Sequence, residues 1–394
     1  MSEFPKVILN KGKERSLKNF HPWVFSGAIH SSANGLAEGD VAEVFSSDGN
    51  YLGTGHYHEG SIKMRLFSFE QTDAGADFWL QKIKAAFDLR ESLGLTDNPH
   101  TNAYRLVHAE GDLMPGLILD IYNDAAVIQT HTLGMHRAIP HISDALKEIY
   151  GGKLRVIFDK SAEALSKQHI RGATNNYLLG NEPSTVILEN DLQFQVNWEE
   201  GQKTGFFVDQ RENRKLLASY CKGKTVLNAF AYSAGFSVYA LAAGATQVDS
   251  VDSSKKAADW AEKNVALNFS GSQHRFHCED VFDYFKKNKE QVDVLVLDPP
   301  GFAKHLSAVN QASIGYRNLN AEGIKKVKKG GVLFTFSCSQ VIDRTLFRKL
   351  VFQAAAQSGR QVRILHQLSQ PPDHPINLYH PEGEYLKGLV LRVD

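Results

Sequence analysis

The sequence has little cysteine, no excess of either charge and no long apolar run. Its three cysteines, Cys221, Cys278 and Cys338, are odd in number and far apart, which argues against a disulfide framework and for a reducing compartment. Lys+Arg and Asp+Glu both number 44, so the zero formal net charge neither requires nor excludes a nucleic-acid partner. No segment resembles a signal peptide or a membrane span. We therefore expect a cytoplasmic protein with no membrane partner.

A chain of 394 residues is too long for one compact core, and its patterns divide it into three parts. Residues 1–72 contain short strand-like segments separated by Gly, Asn and Asp, which predicts a small β domain. Residues 73–190 begin with a helical pattern and continue as an α+β region. Residues 191–394 alternate strands and helices, which predicts an α/β domain with a mostly parallel sheet of seven strands.

Local charge and spacing add three expectations. The cations between Lys6 and Lys18 outnumber the single anion Glu14, which fits either a solvated face or an edge that contacts phosphates. A helix is expected at the start of the second part, because the apolar residues Phe78, Leu80, Ile83, Phe87 and Leu89 recur there at near-helical spacing. We expect no metal site, because neither histidine pair, His56/His58 or His374/His380, has cysteine or carboxylate company at ligand spacing.

The ends of the first three strands of the α/β part carry polar or small residues. In open parallel sheets ligands bind beyond the carboxyl ends of the strands. The first strand ends in "NAFAYSAGFS" (228–237), where only Gly235 remains of a glycine fingerprint. Asp252 ends the second strand and could accept hydrogen bonds from ribose hydroxyls, and Asp280 follows the third and could meet an adenine amino group. Each acid could instead cap a helix, but together they indicate a cofactor that contains adenosine.

The fourth and fifth strands end in residues suited to chemistry on a base. "LDPPGF" (297–302) places Asp298 at the end of an apolar strand, before two prolines that stiffen the loop. The alternative is a rigid turn with a capping acid. Cys338 lies between Ser337 and Ser339 at the next strand end, in the ligand crevice, where a local field can favour the thiolate. Cys278 is expected to be a buried, inert cysteine, and Cys221 lies in a polar linker with no assigned role.

Several motifs together carry a resemblance to a known family. "LDPPGF", "FTFSCSQ", "GQKTGFFVDQRENR" and "DHPINLYHPEGEYLKG" resemble the bacterial S-adenosylmethionine-dependent methyltransferases that make 5-methylcytosine in large-subunit ribosomal RNA. The resemblance extends over nearly the whole chain. It implies an N-terminal PUA domain that binds RNA, a middle α+β domain and a Rossmann-like class I methyltransferase domain. It also implies ribosomal RNA as partner, and we keep a homodimer as a further partner expectation.

The resemblance also implies roles for individual residues. Cys338 would be the nucleophile, and Asp298 would hold the cytosine edge. Residues 203–214 would cover S-adenosylmethionine, and the candidate contacts of this cofactor are Phe206, Gln210, Asn228, Phe230, Tyr232, Gly235, Asp252, Ser253, Asp280, Val281 and Asp298. The candidate substrate contacts are Pro299, Pro300, Phe302 and Lys387. One departure is Gly301, which stands where many RNA cytosine-5 methyltransferases carry a second cysteine, so a single cysteine would serve both steps.

Cysteine at this place has a chemical reason. C5 of cytosine is too weak a nucleophile to attack a methyl sulfonium, and a thiolate that adds to C6 makes C5 enamine-like. The base must be unstacked to reach such a crevice. Two other readings remain open: an RNA methyltransferase that acts on a guanine or an exocyclic nitrogen without using Cys338, and a non-catalytic RNA-binding assembly factor that retains the cofactor fold.

Overall fold

A computed structural model describes residues 4–165, 174–271, 273–303 and 305–394. The chain forms two compact units. Unit 1 comprises Met1–Ile187, Val196–Val208 and Pro372–Gly383, and unit 2 comprises Leu188–Gln195, Asp209–Pro371 and Glu384–Asp394. Two segments of the predicted third domain thus belong to unit 1, which the sequence did not indicate. The division into 1–72, 73–190 and 191–394 stays a prediction.

The first sheet of unit 1 has six short strands in the order β2-β6-β5-β4-β1-β3. All neighbours are antiparallel except β1 and β4, which are parallel. Its inward-facing residues, among them Val7, Val44 and Leu66, form a separate core. The elements are β1 (Lys6–Leu9), α1 (Arg15–Lys18), β2 (Trp23–Phe25), β3 (Ile29–Ser32), β4 (Val41–Phe45), β5 (Tyr51–Tyr57) and β6 (Ile62–Ser68).

The second sheet of unit 1 has five strands in the order β11-β10-β9-β8-β7. Its nearly continuous apolar strands pack against helices in one large core. The elements are α2 (Ala76–Ser92), β7 (Ala103–His108), β8 (Leu117–Tyr122), β9 (Ala125–Thr130), α3 (Leu133–Arg137), α4 (Ile139–Tyr150), β10 (Val156–Asp159) and β11 (Asn176–Leu179). None of the described helices, here or in unit 2, is long and apolar enough to span a membrane.

Helix α2 forms where the pattern predicted it, and Ile83 lies in the core while Phe78, Leu80 and Phe87 pack against it. The helix buries Trp79, Ile83, Ala86 and Arg90, whereas Leu89 is 39% exposed. Arg90 is buried with polar partners: its guanidinium donates to the Arg105 carbonyl at 2.8 Å and pairs with the Asp112 carboxylate. The buried side of the helix therefore includes a charged residue that hydrophobic periodicity does not register.

A hairpin of β12 (Ser184–Glu189) and β13 (Leu192–Asn197) follows. Its two turn residues, Asn190 and Asp191, have φ of 50° and 66°. Positive φ at both central positions is the requirement of a type I′ turn, which asparagine and aspartate tolerate better than most residues.

Unit 2 is built on a seven-stranded sheet in the order β16-β15-β14-β17-β18-β20-β19. Strand β20 runs opposite to the other six strands, so its pairings with β18 and β19 are antiparallel and the remaining pairings are parallel. All seven predicted strands are confirmed. The strands are β14 (Thr225–Ala229), β15 (Gln247–Asp252), β16 (His274–Cys278), β17 (Val292–Leu297), β18 (Val327–Ser337), β19 (Val362–Leu368) and β20 (Lys387–Val393), and the helices are α5 (Arg211–Ala218), α6 (Gly235–Ala242), α7 (Lys255–Asn268), α8 (Val281–Lys287), α9 (Val309–Lys326) and α10 (Arg344–Ser358).

The strand order of unit 2 reverses direction between β14 and β17. Chain connections leave these neighbouring strands toward opposite sides of the sheet, which opens a crevice at their carboxyl ends. The residues after β14, β15, β17 and β18 therefore share one edge, the edge that the sequence indicates as the ligand site.

Candidate active site

The loop after β17 and the cysteine after β18 lie side by side. The two strands are parallel neighbours, with Leu297 paired to Thr335. A Cβ placed on Gly301 would lie 3.5 Å from the Cys338 sulfur and 3.4 Å from the Ser339 hydroxyl. The amide of Ala303 donates to the same hydroxyl at 3.3 Å. The "DPPGF" loop therefore borders Cys338, as adjacent strand ends predicted.

Asp298 is half-buried and held by an amide side chain. Gln210 donates from Nε2 to Asp298 Oδ2 at 3.0 Å, and Asn213 fixes Gln210 by donating to its Oε1 at 2.6 Å. Burial, reinforced by the nearby Asp209 carboxylate, raises the pKa of Asp298 to about 7. Near neutral pH this carboxyl group is therefore protonated in a large share of molecules, so it can donate a hydrogen bond as well as accept one.

Cys338 is exposed at its strand end, but its thiolate is not favoured. The packed protein around the sulfur raises its pKa to about 11, the carboxylates of Asp298 and Asp209 add to the rise, and Lys387 opposes it. In the protein alone the surroundings of the sulfur therefore favour the thiol, and the use of Cys338 as a thiolate stays a prediction. Two acids at the site outweigh one cation, although the accessible thiol can be reached by a base.

Lys387 begins β20, directly opposite Ser337 on β18. The residue is only 2% exposed, and its ammonium donates to the carbonyls of Ser339 at 2.7 Å and Tyr385 at 2.6 Å. Burial lowers the pKa of Lys387 to about 8, against the raising influence of Cys338. The Tyr385 hydroxyl in turn donates to Asp209 Oδ2 at 2.7 Å. One short segment thus contacts both the cysteine turn and the acidic side of the site.

The loop after β14 is strained at three alternate residues. Phe230, Tyr232 and Ala234 have φ of 62°, 44° and 60°, which side chains other than glycine rarely adopt. Asn228 is buried and its Oδ1 accepts no hydrogen bond within the described ranges, while its amide donates to Ser237 Oγ at 2.9 Å. A strained loop beside a buried, unsatisfied acceptor fits a site that is completed by a polar ligand.

Gly235 is required by packing. A Cβ there would meet Arg214 Cδ at 3.1 Å. Arg214 forms a buried, two-pronged ion pair with Glu189, at 2.8 and 2.7 Å. Without a side chain at its first residue, helix α6 can therefore begin in close contact with Arg214, which is itself held by Glu189.

The two predicted adenosine-binding acids occupy the expected strand ends. Asp252 ends β15 and accepts the amides of Tyr232 and Ser254, both at 3.0 Å. Asp280 caps helix α8, since its Oδ1 accepts the amides of Phe282 at 2.8 Å and Asp283 at 3.2 Å. The capping alternative is therefore observed for Asp280, whereas Ser254 and not Asp252 caps helix α7. Ser253 is exposed beside Asp252.

Four other predicted contacts have clear placements. Val281 is 2% exposed and packs in the core of unit 2. Pro299 is buried and Pro300 is exposed. The ring of Phe302 lies 4.6 Å from that of Tyr316 on helix α9, so its inner face is already packed. Only the outer side of Phe302 is therefore open to a base.

The segment 203–214 begins in unit 1 and ends in unit 2. Within unit 1, Phe206 is 4% exposed, and both its amide and its carbonyl bond the hydroxyl of Tyr122, at 3.2 and 3.1 Å. Gln210 lies in unit 2, on Asp298. The contact of Gln210 with the site is thus seen directly, and that of Phe206 with the cofactor stays a prediction.

The burial of the other two cysteines differs from what the sequence indicated. Cys278, expected to be buried, is exposed because it ends β16, the outermost strand of the sheet. Cys221, assigned to a polar linker, is fully buried and its thiol donates to the Leu217 carbonyl at 3.2 Å. Among the described residues no group of three or more His, Cys, Asp or Glu side chains could hold a metal ion.

Sequence reasoning missed Asp209 and Tyr385. Asp209 adjoins Gln210 in "GFFVDQ", and Tyr385 stands two residues before Lys387 in "EYLKG". Neither residue ends a strand, so the rule that selected Asp298 and Cys338 could not select them. Their only signal was membership of two of the motifs on which the family resemblance rests.

Comparisons with known proteins match nearly the whole chain. A family model described as PUA-like domain matches residues 7–69, and one described as S-adenosylmethionine-dependent methyltransferase matches residues 161–392. Proteins named ribosomal RNA large subunit methyltransferase I from Alteromonas mediterranea and Aeromonas salmonicida are 37% and 38% identical, over 98% of this chain and 98% of each relative.

Two solved structures share the fold. One is a candidate S-adenosylmethionine-dependent methyltransferase from Streptococcus mutans, with a TM-score of 0.84, and the other is a candidate methyltransferase complexed with S-adenosylhomocysteine (SAH), with a TM-score of 0.85. Each is 24% identical and is matched over 98% of this chain and 100% of the other.

Proposed function

The chain belongs to the family of S-adenosylmethionine-dependent methyltransferases that includes ribosomal RNA large subunit methyltransferase I, and from this we propose that it methylates C5 of a cytosine in large-subunit ribosomal RNA through Cys338. The observation that carries the proposal is the contact between the "DPPGF" loop and the cysteine, with the Gly301 Cβ position 3.5 Å from the sulfur. A clamp for the base edge and a nucleophile beside it are the two parts that this chemistry needs.

The proposed role of Cys338 is to form a temporary bond to the base. Its thiolate adds to C6, so that an S–C6 bond forms, the C5–C6 double-bond electrons form a C4–C5 double bond, and the C4–N3 pair moves onto N3. Asp298, whose pKa lies at about 7, gives its proton to N3 and so stabilises the enamine. S-adenosylmethionine, when bound, supplies the methyl group that C5 takes up.

The second half of the reaction reverses the first. A base removes the proton from C5, the electrons re-form the C5–C6 double bond, and the S–C6 bond breaks to release the thiolate. Asp298 recovers its proton from N3, so the protein returns to its starting state. Because Gly301 supplies no second thiol, nothing at that place displaces Cys338, and release depends on removal of the C5 proton.

The residues around the strained loop fit the cofactor. Asn228 offers a buried, unsatisfied oxygen, Asp252 a carboxylate at the end of β15, and Asp280 one after β16. These positions suit the polar groups of an adenosine-containing ligand. We propose that they hold S-adenosylmethionine, together with the segment 203–214.

We propose that one face of unit 1 contacts the RNA. Its aromatic surface consists of three half-exposed rings: Phe20, Phe25 and Tyr379 are 49%, 48% and 50% exposed. The Phe20 and Tyr379 rings lie 5.3 Å apart. The residues just before Phe20 expose Lys11, Lys13, Arg15 and Lys18. Cations beside open rings suit unpaired nucleotides, whose phosphates and base faces they can contact.

The test is mass spectrometry of nucleosides from large-subunit RNA of a strain that lacks this gene, before and after incubation with the protein and S-adenosylmethionine. We expect a missing 5-methylcytosine that the protein restores, that Cys338→Ala does not restore, and that the exposed-cysteine control Cys278→Ala does. A missing methylguanosine, or restoration by Cys338→Ala, would contradict the covalent mechanism. The proposal also includes a cytoplasmic location and a homodimer, the latter testable by sedimentation velocity.

A further inference from the structure

Lysine is an unusual residue to bury at the start of a strand, as Lys387 is in β20. A buried ammonium is costly unless hydrogen bonds and charges compensate for the lost water. Two of its three N–H groups donate to the carbonyls of Ser339 and Tyr385, at 2.7 and 2.6 Å. Among the described residues no third acceptor is seen. A simple structural role would be to tie these two carbonyls together.

The direction of the side chain points to a second role. Lys387 starts opposite Ser337 and ends on the carbonyl of Ser339, so it spans the position of Cys338 between them. Among the described residues with the largest influence on the charge of Cys338, Lys387 is positive, while Asp298 and Asp209 are negative. Around Lys387 itself stand Cys338, Glu384, Arg344 and Asp343.

We propose that the Lys387 ammonium is the built-in counter-charge of the Cys338 thiolate, a charge-setting role that rests on the proposed use of Cys338 as nucleophile. The thiol proton leaves to solvent and Lys387 keeps its own proton. The positive charge then lies beside the sulfur both when the thiolate attacks and when it is released. This role requires a protonated amine, which a carbonyl tie alone does not.

The test is the rate at which iodoacetamide alkylates Cys338 between pH 6.5 and 9.5, followed by peptide mass spectrometry. Only the thiolate reacts, so the rate reports its population. The exposed Cys278 in the same molecule is an internal reference for the reagent. The assay needs neither RNA nor cofactor, so failure of this inference is distinguishable from failure of the proposed function.

Three variants separate charge from packing. Lys387→Arg keeps a positive charge throughout this pH range, whereas Lys387→Met removes it. Lys326→Met is the matched control, because Lys326 is also buried and donates to a backbone carbonyl, that of Asn288. Lys326 stands just before the 11-residue strand β18, and Cys338 stands just after it. The length of the strand therefore separates Lys326 from Cys338 by about 30 Å.

We expect the ratio of the Lys387→Arg rate to the wild-type rate to be flat below pH 7 and to rise about three- to tenfold through pH 8, as the lysine loses its charge. The Lys387→Met rate should be about three- to tenfold below the wild-type rate at pH 7 and should approach it above pH 9. The decrease at pH 7 corresponds to a rise of about one pKa unit in the Cys338 thiol, partly offset because a thiolate of higher pKa is the stronger nucleophile. Asp298 titrates in every sample and cancels in the ratio.

An unchanged Cys338 alkylation rate in Lys387→Met at pH 7 would overturn the inference, and so would a Lys326→Met effect equal to that of Lys387→Met. If Lys387→Met does not fold, as judged by thermal unfolding, the same comparison is made with Lys387→Gln, which keeps a hydrogen-bond donor without the charge.

Discussion

Replacing Asp298 by asparagine should make unit 2 more stable and less dependent on pH. Burial and Asp209 raise the pKa of Asp298 from 3.8 to about 7, so between these values the folded protein binds a proton that the unfolded chain has released. Stability is therefore lost as the pH rises from about 4 through 7. Linkage gives a loss of roughly 2.5 kcal/mol between pH 5 and pH 8 for this one group.

The assay is urea unfolding at pH 5 and pH 8, followed through the transition that includes unit 2. Asp298→Asn should gain roughly 2.5 kcal/mol relative to wild type on going from pH 5 to pH 8, while methyl transfer falls because asparagine cannot give a proton to N3. Asp259→Asn, which replaces an exposed aspartate on helix α7, is the control and should leave the pH dependence unchanged. Parallel stability curves for wild type and Asp298→Asn would refute the placement of a neutral carboxyl group at this site.

Two further predictions concern the cysteine turn and the RNA. Gly301→Cys places a second thiol beside Cys338, because a Cβ at position 301 lies 3.5 Å from the Cys338 sulfur. Mild oxidation of this variant should form a disulfide that abolishes methyl transfer, and dithiothreitol should restore the activity. The control Gly301→Ala should be insensitive to oxidation, and absence of the disulfide in peptide maps would contradict the geometry. The double variant Phe20→Ala/Tyr379→Ala should weaken binding of single-stranded RNA by about tenfold or more in fluorescence anisotropy. The control Leu378→Ala replaces a more exposed apolar residue of the same unit and should change the affinity little. If the control weakened binding as much as the double variant, base stacking on the two rings would be refuted.

The strand-end rule accounts for what could be predicted of the site. Parallel strands share one carboxyl edge, so the last residues of successive strands, such as Asp252, Asp298 and Cys338, could be grouped without knowing any distance. Lys387 came from the family resemblance. Asp209 and Tyr385 could not be found by this rule because they lie outside strands and reach the site through tertiary contacts.

Two features of the structure were not visible in local patterns, for the same physical reason. Helix α2 was predicted from hydrophobic periodicity, which does not register a buried arginine with its own carboxylate and carbonyl. The position of Cys338 in a crevice was predicted from its strand end, but the sign of the field there depends on which charges surround the sulfur. In both cases polar partners that are distant in sequence decide the outcome, and a pattern of neighbouring residues does not contain them.

The protonation states of Asp298 and Cys338 set a problem that the ligands must solve. The proposed chemistry needs a protonated Asp298, with a pKa of about 7, and an ionised Cys338, with a pKa of about 11. Because the ionised Asp298 carboxylate itself raises the pKa of Cys338, the two titrations are coupled, and in the protein alone the two groups are rarely in the required state at the same time. Such a small reactive fraction in the protein alone suggests that the thiolate forms once positive charge enters the site.

S-adenosylmethionine carries a sulfonium charge that S-adenosylhomocysteine lacks, so this pair of ligands isolates the effect of charge. We expect saturating S-adenosylmethionine to speed alkylation of Cys338 by about tenfold relative to saturating S-adenosylhomocysteine at pH 7.5, because a nearby positive charge favours the thiolate. The alkylation rate of Cys278 is the reference for reagent reactivity in each sample. Equal rates of Cys338 alkylation with the two ligands would mean that the charge of the cofactor does not activate the thiol.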